Sequence, residues 1–215
     1  MSLENLDHKF REDYTKGCLS EEDVNPDPMI QFKQWFQDFV ATGVRQPNAM
    51  VISTVDTESK PSSRVVLLKD VTDKGFVFFT NYLSRKGNDI AQNKIVSLLF
   101  YSIELERQIR IEGRAEKLSY DESNTYFQSR PIDSQIAAMA SNQSEVIASR
   151  AVLETQFDHY KQLHENKAPQ CPDYWGGYCV IPHFFEFWQG RKNRFHDRIC
   201  YTNSDKTWAI TRKAP

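Results

Sequence analysis

Apolar residues change their period along this chain, and the changes divide it into elements. After residues 1 to about 25, a polar stretch without steady periodicity that reads as a mobile arm, Met29, Phe32, Trp35, Phe36, Phe39 and Val40 recur at the spacing of an amphipathic helix. Asp27 stands where a cap belongs, Pro28 suits the first turn, and Gly43 supplies the stop. From Ala49 the period shortens. AMVISTV, SSRVVLLK, GFVFFT, IVSLLFY and RQIRIEG are β-branched or aromatic runs parted by turn clusters such as DTESKP and DVTDKG. Short links among the first three predict antiparallel pairing. Several runs are apolar on both faces, so the sheet is expected to close into a small mixed barrel or to be covered by helices.

Ser119-Tyr120-Asp121-Glu122 has the form of a capping box and opens a helix expected to end near Arg130-Pro131. A further helix is expected from roughly Ser149 to His164, both packing outside the barrel. Beyond the breaker-rich APQCPDYWGG, the segments YCVI, FFEFWQ and RICY return the chain to strands. The expected class is α+β, with an arm over 1–25 and a single domain over 26–215.

Composition narrows the function more than the fold. Of 215 residues 40% are hydrophobic, enough for a sizeable core, while 27 basic and 29 acidic side chains leave a net charge of -2. That balance argues against nucleic acid and anionic membrane as partners, so any phosphate site must be local. Cys18, Cys171, Cys179 and Cys200 form no CxxC pair, which suggests neither a zinc site nor a disulfide framework. The five histidines show no HExxH spacing, no GxSxG elbow is present, and no metal is expected. The N-terminus lacks an apolar h-region and no apolar run approaches the roughly 20 residues of a membrane span, so a cytoplasmic protein is expected.

With neither GxGxxG nor GxxxxGK[ST], a bound phosphate would have to be held by side chains. Arg64 and Lys69 bracket RVVLLK, and Arg85-Lys86 follows FVFFTN at a strand-to-helix corner where Ser84 can cap. Singly, each is an ordinary solvated cation at a strand end; their combination favours an anion. On RQIRIE, Gln108, Arg110 and Glu112 share one face, which either lines a cleft, where Gln108 could meet a flavin edge, or is a wet sheet face. Tyr126, Arg130 and Ser134 recur at four-residue intervals, suited to one phosphate, or Arg130 merely complements a helix end. The densest stretch is EFWQGRKNRFHDR. Strand alternation there would put Arg194, His196 and Arg198 on one face, a poor core and a good anion site.

Taken in order, RVVLLK, FFTNYLSRKG, RQIRIEG, YFQSRP, SQIAAMASNQS, WGGY and EFWQGRKNRFHDR resemble the pyridoxine (pyridoxamine) 5′-phosphate oxidase family, from about Asp27 to the C-terminus. REDYTKG in the arm is similar to that family's substrate-closing segment. The resemblance implies a homodimeric FMN-binding split β-barrel with peripheral helices, each site being built from both chains. By position in the motifs, the flavin set would be Arg64, Val65, Val66, Leu67, Phe79, Thr80, Ser84, Arg85, Lys86, Gln108, Gln143, Ser144, Trp188 and Arg198. Lys69, Tyr126, Arg130 and Ser134 would hold the substrate phosphate, Arg194 and His196 would lie over the pyridine ring as the catalytic pair, and Arg11 and Tyr14 would close the lid.

The implied reaction is oxidation of pyridoxine 5′-phosphate or pyridoxamine 5′-phosphate to pyridoxal 5′-phosphate, with O2 as acceptor and hydrogen peroxide as by-product. Departures from the family pattern are few: Lys213 where leucine is common, Ala138 where glycine is frequent, and a short loop before Trp208. Two rival readings are a flavin- or vitamer-binding paralogue with weak turnover and a split-barrel reductase using a nicotinamide cofactor. No sequence feature points to nicotinamide.

Overall fold

The computed structural model describes residues 13–204 and 207–215. Helix α1 (Pro28–Ala41) forms where the period requires it: Asp27 accepts a hydrogen bond from the Met29 N–H, Pro28 occupies the first turn, and Gly43 has φ +75°. Phe32, Trp35 and Phe39 are buried, whereas Val40 is exposed at the margin of the apolar face.

The strands are β1 (Ala49–Val55), β2 (Pro61–Leu67), β3 (Asp70–Val71), β4 (Phe76–Asn81), β5 (Ile95–Ser102), β6 (Arg107–Lys117), β7 (Trp175–Gln189), β8 (Asp197–Ser204) and β9 (Thr207–Arg212). They hydrogen-bond in the order β2-β1-β5-β6-β7-β4-β3, with β8 on β7 and β9 on β8. The helices are α2 (Arg85–Gln92), α3 (Tyr120–Ser129), α4 (Ile132–Ala140) and α5 (Arg150–Leu163).

Two compact units share these elements. One takes in the described chain from Asp13 to Pro47 with Leu99–Ile111 and His183–Pro215; the other comprises Asn48–Leu98 and Glu112–Pro182. In the first, α1 sets Phe32 5.2 Å from Phe100 and Trp35 5.3 Å from Phe187, both edge to face, around a core that includes Tyr201. In the second, Phe127, Cys171 and Trp175 form a cluster against which Phe79, Tyr126 and Tyr174 pack.

Several sequence expectations need correction. The run SSRVVLLK pairs with β1 over residues 62–67 and meets GFVFFT at Lys69, rather than forming a hairpin with it. Leu68 donates its N–H to Asn48 O, beside β1, but Lys69 donates to Val77 O on β4, so the chain changes partner between these residues and β3 takes the place of the expected hairpin arm. YCVI and FFEFWQ are parts of one 15-residue strand, which also absorbs WGG and passes through Pro182. Helix α4 was not anticipated; Pro131 ends the preceding helix, as expected, yet also stands at the cap position of a new one. Strand β9 was likewise unforeseen. In RFHDRI the strand begins only at Asp197, because Lys192–Arg194 is a tight 3-10 turn with Asn193 at φ 57° and Arg194 at φ 63°. Arg194 and His196 therefore owe nothing to strand alternation.

The capping box at Ser119 is complete: Ser119 Oγ accepts from the Glu122 N–H, and Glu122 Oε2 accepts from the Ser119 N–H at 2.9 Å. Ser119→Ala is expected to lower stability by about 1 kcal/mol, read as a lower urea midpoint at unchanged slope. An unchanged midpoint would show that α3 is held by packing alone.

Candidate functional site

In the second unit a cavity of about 810 Å³ opens between β2, β4 and the helices α3 and α4. Arg64, Val65, Val66, Leu67, Lys69, Phe79, Thr80, Lys86, Tyr126, Arg130, Ser134 and Gln143 line it, together with Asn81, Pro131, Ala137, Ala138, Ser141 and Trp175. Residues distant in sequence and singled out for phosphate chemistry thus face one space.

At one side lies a buried ammonium. Lys86 sits in the first turn of α2, whose N-cap Ser84 accepts from the Gly87 N–H at 3.4 Å and donates to Asn81 O at 2.7 Å. Lys86 Nζ donates to Thr80 Oγ1 at 3.0 Å, Ser84 Oγ at 3.1 Å and Gln143 Oε1 at 2.9 Å. All three acceptors are neutral. Burial first, and then the positive charge of Arg64, push its pKa down to about 8. Arg64 is held by Thr54 Oγ1 and Ser62 Oγ, each at 2.7 Å, with the Asp89 carboxylate 3.9 Å away. Burial lowers its pKa as well, only partly offset by Asp89.

A second cation marks another side. Arg130 caps α3 in extended conformation, its guanidinium 4.8 Å from the centre of the Trp175 ring. Its Nη1 is buried and has no hydrogen-bond partner among the described residues, and burial lowers its pKa. Phe79 and Tyr126 stack at 3.8 Å, with Trp175 near-parallel to both, and Lys69 Nζ lies 6.0 Å from the Tyr126 ring centre. Ser134, on the first turn of α4, lines the same cavity.

The first unit gathers the remaining aromatic and basic residues. Trp188 and His196 lie 4.7 Å apart, and Tyr14 packs on both, at 5.7 and 5.6 Å. The Arg191 N–H donates to His196 Nδ1 at 3.1 Å, which makes that nitrogen an acceptor and leaves the proton of a neutral ring on Nε2. Burial, helped by the charge of Arg194, lowers the His196 pKa. Arg198 donates to Glu186 Oε2 at 2.7 Å. On β6 the expected alternation holds: Gln108, Arg110 and Glu112 are half-buried while Ile109 and Ile111 are buried.

Arg85 is exposed beside buried Lys86, and Ser144 is exposed at φ 80°. Arg11 lies outside the described residues. Thr54, Asp89, Trp175 and Glu186 were missed as site or supporting residues. Thr54 left a trace in the sequence, since a hydroxyl replaces an apolar residue at an inward position of AMVISTV; no pattern pointed to Asp89.

Strand order and covering helices define an α+β split β-barrel. A family model described as pyridoxamine 5′-phosphate oxidase matches residues 36–164, and one described as pyridoxine 5′-phosphate oxidase C-terminal dimerisation region matches residues 175–215. The chain belongs to the pyridoxine/pyridoxamine 5′-phosphate oxidase family. It is 52% identical to a pyridoxine/pyridoxamine 5′-phosphate oxidase of Nostoc sp., covering 96% of this chain and 97% of that one. It is 50% identical to another from Cupriavidus taiwanensis, with the same coverage. Among solved structures, PhzG from Burkholderia lata, in complex with tetrahydrophenazine-1-carboxylic acid, superposes with a TM-score of 0.85 at 29% identity, covering 92% of this chain and 98% of that one. An FMN-binding protein from Nostoc punctiforme has the same fold, with a TM-score of 0.68 at 13% identity, covering 89% of this chain and 100% of that one. Among the described residues no helix is long and apolar enough to cross a membrane.

Proposed function

We propose that this protein is an FMN-dependent oxidase that converts pyridoxine 5′-phosphate and pyridoxamine 5′-phosphate to pyridoxal 5′-phosphate, with O2 as electron acceptor and hydrogen peroxide as by-product, in vitamin B6 salvage. The observation that carries this reading is the buried ammonium of Lys86, hydrogen-bonded among the described residues only to neutral oxygens and standing near Arg64. A buried cation without a carboxylate partner costs several kcal/mol unless an anion joins it. The FMN phosphate is the anion we assign there, between Lys86 and Arg64. The orphaned Nη1 of Arg130 supports a second anion site, for the vitamer phosphate, with Lys69, Tyr126 and Ser134.

FMN, when bound, supplies the chemistry by accepting the two electrons removed at the substrate C4′ and passing them to O2. The chain's own work is binding and orientation. Val65, Val66 and Leu67 offer the backbone and apolar edge of β2, Phe79, Thr80 and Gln143 border the same space, and Ser84 and Arg85 open α2. Arg194 and His196 orient the pyridine ring, with His196 neutral and donating from Nε2. Tyr14, already packed on Trp188 and His196, closes over the substrate as part of an N-terminal lid; Arg11, assigned to the same lid, lies outside the described residues. The assembly is a homodimer in which Gln108, Ser144, Trp188 and Arg198 complete flavin sites built by two chains; a match to a dimerisation region supports this. Identity of 52% to an enzyme named for the vitamers, against 29% to PhzG, favours vitamer phosphates over a phenazine acid.

The purified protein should show the absorption bands of bound flavin and form pyridoxal 5′-phosphate and peroxide in equal amounts from each vitamer. No flavin absorbance after reconstitution with FMN would sink the reading. A yellow protein that stays oxidised when pyridoxine 5′-phosphate is added without oxygen would be a binding paralogue instead, and bleaching by NADPH alone would indicate a reductase.

A further inference from the structure

Strand β7 carries a buried carboxylate, Glu186. Glu186 lies on the face of β7 that holds Phe184 and Trp188, opposite the buried Phe185 and Phe187, and is itself only 3% exposed. Its Oε2 accepts from Arg198 Nη2 at 2.7 Å, on β8, and from Arg110 Nη2 at 3.2 Å, on β6. Cys200, its register partner on β8, places Sγ 3.7 Å from the same oxygen. Arg198 Nη1 is tied in addition to Ala214 O at 2.8 Å, so that guanidinium is held from two directions.

Electrostatics explain why the carboxylate stays charged. Burial works to raise the Glu186 pKa, but the hydrogen bonds and charges of Arg198 and Arg110 outweigh it and hold the group below its usual range. Burial and the Glu186 charge push the Cys200 thiol up to about 11, so the sulfur adds no second anion. A buried ion cluster is commonly no better for stability than apolar residues of the same volume. What it supplies is direction: a planar guanidinium locked at two edges can present its remaining N–H groups one way only. Arg198 is the register partner of Trp188, so whatever fixes Arg198 fixes it beside that indole.

We propose that Glu186 is a positioning residue for the flavin, acting by locking Arg198, with Arg110 braced against the same oxygen. This rests on the reading of Arg198 as a flavin contact. Glu186 touches neither flavin nor substrate; its effect travels through the arginine.

The test is a double-mutant cycle on FMN affinity, measured by quenching of FMN fluorescence on titration with FMN-free protein, with thermal unfolding recorded for each variant. Glu186→Gln is expected to raise the FMN Kd about tenfold in the natural background and less than about twofold in an Arg198→Ala background, because the arginine is the only route. Glu186→Asp keeps the charge and should recover part of the affinity. If Glu186→Gln does not fold, Glu186→Asp is carried through the same cycle, with a smaller but equally Arg198-dependent loss. Equal losses in both backgrounds, or a lower unfolding temperature with unchanged Kd, overturn the proposal and leave Glu186 a structural residue. If the natural protein itself binds no FMN, the functional reading falls with it; if it binds and Glu186→Gln binds as well, only this inference falls.

Discussion

Lys86→Met is expected to weaken FMN binding about a hundredfold while making the FMN-free protein more stable. Both halves follow from one fact: the Lys86 ammonium is buried among neutral acceptors and its pKa is pushed down to about 8 by burial and by Arg64. Relative to an ordinary lysine, near 10.4, such a shift corresponds to at most ~3 kcal/mol of stability withheld at neutral pH, less where water enters the cavity. The sign is set by proton counting. Between pH about 8 and about 10.4 the unfolded chain holds a proton that the folded chain has released, so stability rises with pH across that window, and below it the penalty is constant. Methionine has similar bulk and no charge, and removes the penalty. It also removes the charge-assisted contact to phosphate proposed for Lys86, an expected loss of about 3 kcal/mol or a hundredfold. Urea unfolding of the FMN-free variant and FMN titration between pH 7 and 9.5 decide the matter. In the natural protein FMN affinity should fall as pH rises through about 8, and in the variant that slope should vanish. A variant that binds FMN as tightly as the natural protein would remove Lys86 from the phosphate site.

That ammonium also shows how far the sequence reaches. Its position was legible because local rules act at that corner: a β-run, a capping serine, then a helix. The partners that make it unusual come from elsewhere in the chain, Gln143 lying 57 residues away, and no local period encodes such an approach. The elements themselves were legible where one face is wet and the other dry, as in α1 and the Arg107–Glu112 half of β6. They were misread where burial on both sides erases the period. The all-buried Trp175–Val180 stretch of β7 was split at its turn-like glycines, and α4 was hidden behind a proline that both ends and begins helices. Strand order escaped for a related reason, since β2 and the β3–β4 pair that follows it part company at a single residue, Leu68, whose backbone bonds to the β1 side. Alternation in RFHDRI grouped Arg194 with His196 by the wrong mechanism: Arg194 is placed by a left-handed turn and His196 by a backbone N–H.

Arg194→Ala is expected to lower kcat/KM for pyridoxine 5′-phosphate by about 10²- to 10³-fold with FMN binding unchanged, the size usual for loss of a preorganised charge or of substrate alignment. Arg194 is exposed and held at φ 63° by the 3-10 turn, two residues before His196, so its side chain is available to a ligand. Its charge has a second effect. Burial and the Arg194 cation together hold the His196 pKa down, so the ring stays neutral into mildly acid solution and keeps Nδ1 for the Arg191 N–H and the proton on Nε2. Removing the arginine lets the His196 pKa rise, since the charged ring then loses a repelling neighbour while Asp197 still favours it. The acid limb of the kcat/KM profile should therefore move to higher pH in Arg194→Ala and stay in place in Arg194→Lys, which keeps the charge but not the planar fork. A fall in activity without movement of the acid limb would separate Arg194 from His196, leaving it to orient substrate alone. Loss of bound FMN in Arg194→Ala would instead assign the arginine to the flavin, because the vitamer contacts proposed for it are made only after FMN is in place.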